Sequence, residues 1–164
     1  MEIIFDSSTL ILLAKTELIR LVAEDHQVLI PERVMQECVS KDIFDARMIS
    51  QLITEGVIKV LKVDKKAVIS KLCRDFKIHN GEAEALYLAM QRKTLLAVDD
   101  LPTIKACKII NQRFTTAVHF LINSAGHGKL DKKSAFVKLE KLAVCGRYNR
   151  QIVDDAYARL KGGS

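Results

Sequence analysis

Tryptophan is absent from this 164-residue chain, and aromatic residues make up only 5% of it. A core for this length must therefore be aliphatic, built from Ile, Leu, Val and Ala. Proline occurs twice, at Pro31 and Pro102, and no repeat or low-complexity linker interrupts the sequence. A single domain over residues 1–161 is expected, with 162–164 as a flexible tail. The four cysteines, Cys38, Cys73, Cys107 and Cys145, stand singly with no CxxC pair. This argues against a zinc site or disulfide framework and suits a reducing cytoplasm. Apolar runs such as Leu10 to Ala14 fall far short of the ~18 residues of a membrane span, and no charged-then-apolar leader opens the chain. The expected location is cytoplasmic. GxGxxG and Walker A signatures are missing, and His26, His79, His119 and His127 lack HxxxH spacing. They read as surface or loop residues.

What is present is aliphatic and basic. Hydrophobic residues at 49% and charged residues at 28% place the chain among globular proteins. The net charge of +6 favours polyanions, because each neutralised phosphate releases a counterion. Lys129, Lys132, Lys133, Lys138 and Lys141 form one basic run, and Arg147, Arg150, Arg159 and Lys161 another; such runs are most often solvated faces.

Strands alternate with helices. Ile3-Ile4-Phe5, Val28-Leu29-Ile30, Val57 to Val63 and Leu95 to Val98 read as strands, and Phe114-Thr115 as a short last one. Helices are expected from Ser7 or Ser8 to Lys15, from Pro31 through Cys38, from Asp42 to Glu55, and from Lys65 to Phe76. Others follow from Gly81 to Arg92 with Asn80 as cap, and from Thr103 to Asn111. On the Gly81 to Arg92 helix, Ala83, Leu86, Tyr87 and Met90 should face inward. Helices then dominate, at Ala117 to Ser124, Lys132 to Ala143 and Arg150 to Leu160. The alternation implies a mostly parallel sheet with helices on both faces.

In such sheets, sites form outside the carboxyl ends of the strands. Asp6 follows one strand and Asp99-Asp100 another. Glu37 lies on the helix after the second strand, and Glu82 and Glu84 open the helix before the Asp99 strand. Carboxylates gathered there would raise one another's pKa, and a hard divalent cation, Mg²⁺ or Mn²⁺, resolves the repulsion. A metal-activated water could then attack a phosphodiester. Each acid also has a plain structural use. Asp6, Asp99 and Asp100 could cap helices, Glu82 and Glu84 could favour a helix start, and Glu37 could be an ordinary exposed residue. Ser8 could cap its helix and also hydrogen-bond a metal ligand.

Five segments in order carry a family resemblance. They are Ile3-Ile4-Phe5-Asp6-Ser7-Ser8; Val28-Leu29-Ile30-Pro31 with Val34-Met35-Gln36-Glu37; Gly81-Glu82-Ala83-Glu84-Ala85-Leu86; Leu95-Leu96-Ala97-Val98-Asp99-Asp100; and Thr115 to Leu121 with Gly128-Lys129-Leu130. Together, within about residues 1–130, they resemble the PIN-domain family in a prokaryotic, largely archaeal branch; C-terminal helices fill 131–161. The resemblance implies a three-layer α/β/α Rossmann-like fold with a central, mostly parallel sheet. It also implies a Mg²⁺- or Mn²⁺-dependent endoribonuclease, such as a VapC-like toxin. RNA would be the substrate, with a cognate antitoxin and a homodimer as partners. By matching position it carries over Asp6, Glu37, Asp99 and Asp100 as site acids. For the third acid it favours Glu84 over Glu82. The two differ by about 200° around a helix and would not both bind one ion directly. Lys105-Ala106 stands where relatives often have Arg-Ala, and Thr115, Ala117 and His119 replace the usual Gly, Leu and Gly. These departures touch substrate positioning more than metal binding. The alternatives are a non-catalytic scaffold that binds RNA or a partner protein, and a phosphotransfer domain. A phosphatase of the haloacid-dehalogenase kind would want Asp where Ser8 stands.

Overall fold

The computed structural model describes residues 1–40 and 43–162. Five strands, β1 (Glu2–Phe5), β2 (Gln27–Pro31), β3 (Ile58–Leu61), β4 (Leu95–Ala97) and β5 (Phe114–Thr115), form one parallel sheet in the order β3-β2-β1-β4-β5. Ten helices flank it among the described residues, and the architecture is a three-layer α/β/α fold. The expected mostly parallel sheet is present, and every pairing is parallel.

The strands are parallel because each is followed by helix long enough to return the chain to the starting edge. From β1 the chain runs through α1 (Ser7–Lys15) and α2 (Ile19–Asp25) to β2, then through α3 (Glu32–Val39) and α4 (Phe44–Thr54) to β3. It crosses back through α5 (Lys66–Phe76) and α6 (Asn80–Arg92) to β4, and reaches β5 through α7 (Leu101–Ile110). Right-handed crossovers in opposite directions place helices on both faces. α6 packs on β1, β2 and β4, while α1 meets α2, α3, α4 and α8 (Ala117–Gly126). Strand order reverses between β1 and β4, which opens a crevice at their carboxyl ends. α9 (Lys132–Cys145) and α10 (Arg150–Gly162) pack on α8. No helix among the described residues is long and apolar enough to cross a membrane.

The core is aliphatic as expected: Ile3, Ile4, Leu10, Leu13, Ile30, Leu52 and Leu86 are fully buried, and Phe5 stacks on Phe120. Several local expectations need correction. Pro31 is the last residue of β2 and the cap of α3, with extended backbone, and not the first helical residue. His79, not Asn80, caps α6. Met90 lies on its helix but faces solvent, because the sheet and neighbouring helices already cover the opposite side. α2 was not legible. Its cap, Leu18, makes no side-chain bond, and it follows Glu17 in the left-handed region. Gly162 closes α10, whereas Gly163, Ser164 and the expected helix start at Asp42 lie outside the described residues.

Leu86 is a fully buried residue of the helix that spans three strands. Leu86→Ala is expected to cost about 3 kcal/mol in a urea melt, through lost transfer energy and a residual cavity. A loss below about 1 kcal/mol would mean that α6 is not seated as described.

Candidate active site at the carboxyl edge of the sheet

β1 and β4 run side by side in register, with Phe5 opposite Ala97. The ladder continues one step further, where the Asp6 N–H donates to the Ala97 carbonyl at 3.0 Å. Asp6 and the Asp99-Asp100 pair therefore leave the sheet at the same edge.

Each acid is held by its own loop. Asp6 is completely buried. Its Oδ1 accepts from Ser7 N at 2.6 Å, and its Oδ2 accepts from Ser8 Oγ at 2.7 Å. Ser8 Oγ in turn accepts from Asp99 N at 3.0 Å, so one hydroxyl ties the two strand ends together. Asp99 is saturated: Oδ2 accepts from Thr9 Oγ1 at 2.6 Å and Ala117 N at 3.0 Å, and Oδ1 accepts from the Tyr148 hydroxyl. Asp100 caps α7, with Oδ2 accepting from Thr103 N at 3.0 Å and Thr103 Oγ1 at 2.7 Å. The capping role read for these residues is thus present for Asp6 and Asp100.

The two glutamates of α6 part company. Glu82 folds back in a capping box, accepting from His79 N at 2.5 Å, and its charge bears on Asp6. Glu84 instead lines a cleft with Arg33, Lys65, Lys66 and Asn80. The charge of Glu82 bears on Asp6, whereas Glu84 feels the charge of Glu37. Glu37 joins from α3. It is exposed, and its carboxylate lies so close over Gly81 that a Cβ there would stand 2.3 Å from Glu37 Oε1. His79 is exposed, as expected; what sequence reasoning missed is its contact with Glu82, whose Oε2 lies 3.3 Å from His79 Nδ1. Their spacing of three was the available signal. Tyr148 and the buried Asp45 were also missed, and neither sits in a motif.

Electrostatics identify the pressure point. Burial pushes the Asp6 carboxyl up to about 7, aided by the charges of Glu82 and Asp100 and opposed by the bonds from Ser8 and Ser7. Burial also raises Asp99, against the three donors that favour its charged form. Burial raises Glu84, while the Arg33 amide and charge pull it down. Cys38 is pushed up to about 12 by burial, with Asp6, Glu37 and Asp45 adding to it, so this thiol stays neutral beside the acids. Among the described residues, no three His, Cys, Asp or Glu side chains are drawn together closely enough to hold a metal ion as they stand. The charged groups that bear on Asp6 are the carboxylates of Glu82 and Asp100, whose oxygens suit a hard divalent cation that keeps part of its water shell.

A PIN-domain family model matches residues 2–161. No curated protein and no solved structure matches the chain.

The raised Asp6 pKa sets a pH dependence. Below about pH 4 the carboxyl is protonated in both folded and unfolded chains and costs nothing. As pH rises to about 7 and beyond, the unfolded chain ionises freely and the buried group does not, so stability is lost. Asp6→Asn removes this term. In melts without divalent metal, the variant's stability relative to wild type should rise by up to about 4 kcal/mol between pH 4 and pH 8. A difference that stays flat across that range would contradict the assignment.

Proposed function

Because the chain belongs to the PIN-domain family, we propose that it is a metal-dependent endoribonuclease. PIN domains are generally a nuclease fold, which sets the coarse class as hydrolysis of phosphodiester bonds. The observation that supports the finer reading is the β1–β4 register, which sends Asp6 and Asp100 off one sheet edge, with the charges of Glu82 and Asp100 opposing ionisation of the buried Asp6. A divalent cation relieves that repulsion. In this reading Asp6, Glu82 and Asp100 hold Mg²⁺ or Mn²⁺. Such an ion, when bound, supplies Lewis acidity for phosphodiester hydrolysis.

The remaining residues divide the work. Ser8 orients the Asp6 carboxylate and fixes its distance from the β4 end. Asp99, with all its donors inside the protein, positions the loop that carries Asp100 and is not a ligand. Glu37 is exposed beside the start of α6, where it can accept a proton from an attacking water. Glu84 belongs to the neighbouring cleft and not to the metal set.

RNA is the substrate in this proposal, and its backbone follows the cations beside the acids. Some of the basic charge is committed elsewhere: Lys129 pairs with Glu24 and Asp25, Arg150 with Asp154 and Arg159 with Asp155. Arg33, Lys65 and Lys66 line the cleft over α6 and form no ion pair among the described residues, although Arg33 feels the charge of Glu84. That cleft shares Arg33 and Asn80 with a second one lined by Glu37 and His79, so cations lead toward Glu37. The family likeness extends the proposal to a toxin held by a cognate antitoxin and to a homodimer. The second reading is a non-catalytic scaffold that binds RNA or a partner protein. The lack of a close carboxylate trio among the described residues favours it.

Cleavage of assorted RNAs with Mn²⁺, and with EDTA, separates the readings. Asp6→Asn, Glu82→Gln and Asp100→Asn should each lose at least about 100-fold in rate, the top of the range for groups that orient metal ligands. Glu84→Gln should stay within about threefold of wild type, as surface changes do. Gly81→Ala should fold with less than about 1 kcal/mol change, yet cut slowly because Glu37 must swing away from its Cβ. If Asp6→Asn and Asp100→Asn cut like wild type, the site is refuted. A wild type that binds no Mn²⁺ is the scaffold.

Replacing Lys65 and Lys66 by Ala should weaken RNA binding across sequences. The slope of log affinity against log salt should flatten by about 0.7 per lost phosphate contact on a single strand. An unchanged slope would place the RNA elsewhere.

A further inference from the structure

Tyr148 lies in the turn between α9 and α10, 49 residues along the chain from Asp99, whose Oδ1 accepts its hydroxyl proton. The turn is shaped to deliver it. Gly146 ends α9, and a Cβ there would stand 2.6 Å from Tyr148 Cε2 and 3.0 Å from the Leu142 carbonyl, so the ring occupies the space that a side chain would fill. Arg147 then adopts the left-handed conformation, with φ of 51°. Asn149 Oδ1 accepts from Ile152 N at 2.9 Å, starting α10. The phenol is half-buried. Burial and the Asp99 charge drive its pKa far upward, so the hydroxyl remains a donor.

A continuous line of hydrogen bonds starts at this residue. The Tyr148 hydroxyl donates to the Asp99 carboxylate, the Asp99 N–H donates to Ser8 Oγ, and the Ser8 hydroxyl donates to Asp6 Oδ2. We infer that Tyr148 is a positioning residue, through which the α9–α10 hairpin fixes the spacing of the β1 and β4 acids. The inference rests on the nuclease reading only where metal and RNA are measured. Without the hydroxyl, Asp99 loses the one donor that comes from outside the β1, β4 and α8 loops, and the turn bearing Asp100 is freed to shift. The hairpin is thereby part of the site and not an appendage to the fold.

The test is Tyr148→Phe, which keeps the ring over Gly146 and removes only the donor. Four measurements are made on the full chain: thermal melting, amide exchange, Mn²⁺ affinity by electron paramagnetic resonance, and kcat and KM for RNA cleavage. Exchange of the Asp99 and Ala117 amides should quicken at least about tenfold, while that of Leu86 stays unchanged. Mn²⁺ affinity should fall about tenfold, and kcat should fall with KM for RNA unchanged. Ser8→Ala interrupts the same line, so its loss in Mn²⁺ affinity should not add to that of Tyr148→Phe in the double variant. Unchanged exchange at Asp99 overturns the inference. So does a variant that melts lower but binds Mn²⁺ and cuts like wild type, which marks a merely structural tyrosine. A wild type that neither binds Mn²⁺ nor cuts RNA defeats the nuclease reading instead, and the exchange data still decide whether Tyr148 holds the acids.

Discussion

Two aspartates stand at the ends of adjacent parallel strands, Asp6 fully buried and Asp99 half-buried, and the structure around them is organised by that juxtaposition. Ladder register makes it unavoidable, because Phe5 pairs with Ala97 and both strands end within two residues of that pair. Burying like charges is unfavourable unless donors or a counter-ion compensate. The chain meets the requirement differently on each strand. Asp99 receives three donors from three separate elements, whereas Asp6 receives only its neighbouring serines and remains hard to ionise. That inequality distinguishes a carboxylate built into the framework from one still in need of a positive charge.

Capping and ligation are often treated as rival explanations for an acid after a strand. Here the same geometry produces both. A helix that begins where a parallel strand stops needs an acceptor for its first amides, and an Asp in that position necessarily stands at the carboxyl edge of the sheet. Asp100 fills this role through Thr103 with one oxygen, and its other oxygen has no partner among the described hydrogen bonds. The cap fixes the side chain, and pre-fixed acids lose little freedom on binding an ion.

The sheet was legible because its strands are short apolar runs that end in polar residues. The parallel arrangement followed from the helices between them. Asp6, Asp99, Asp100 and Ser8 could be placed at one edge for the same reason: strand ends and chain direction determine them. What could not be read was the direction of helical side chains. Glu82 and Glu84 differ only by rotation around α6, and the outcome depends on His79 recruiting Glu82 into a capping box, a choice made by local backbone geometry. The roles within the Asp pair were equally hidden, since Thr9, Ala117 and Tyr148 come from three distant parts of the sequence. α2, too, lacks a cap signal and buries Ile19 and Val22 against the core.

The outer strands carry a consequence for association. β5 is only two residues long, and β3, at the opposite border, carries the exposed Lys59 at its centre. Short or lysine-bearing borders offer a poor template for a strand from another chain. A second molecule is therefore denied sheet extension as a way to attach, and any lasting contact has to be made with helical surface.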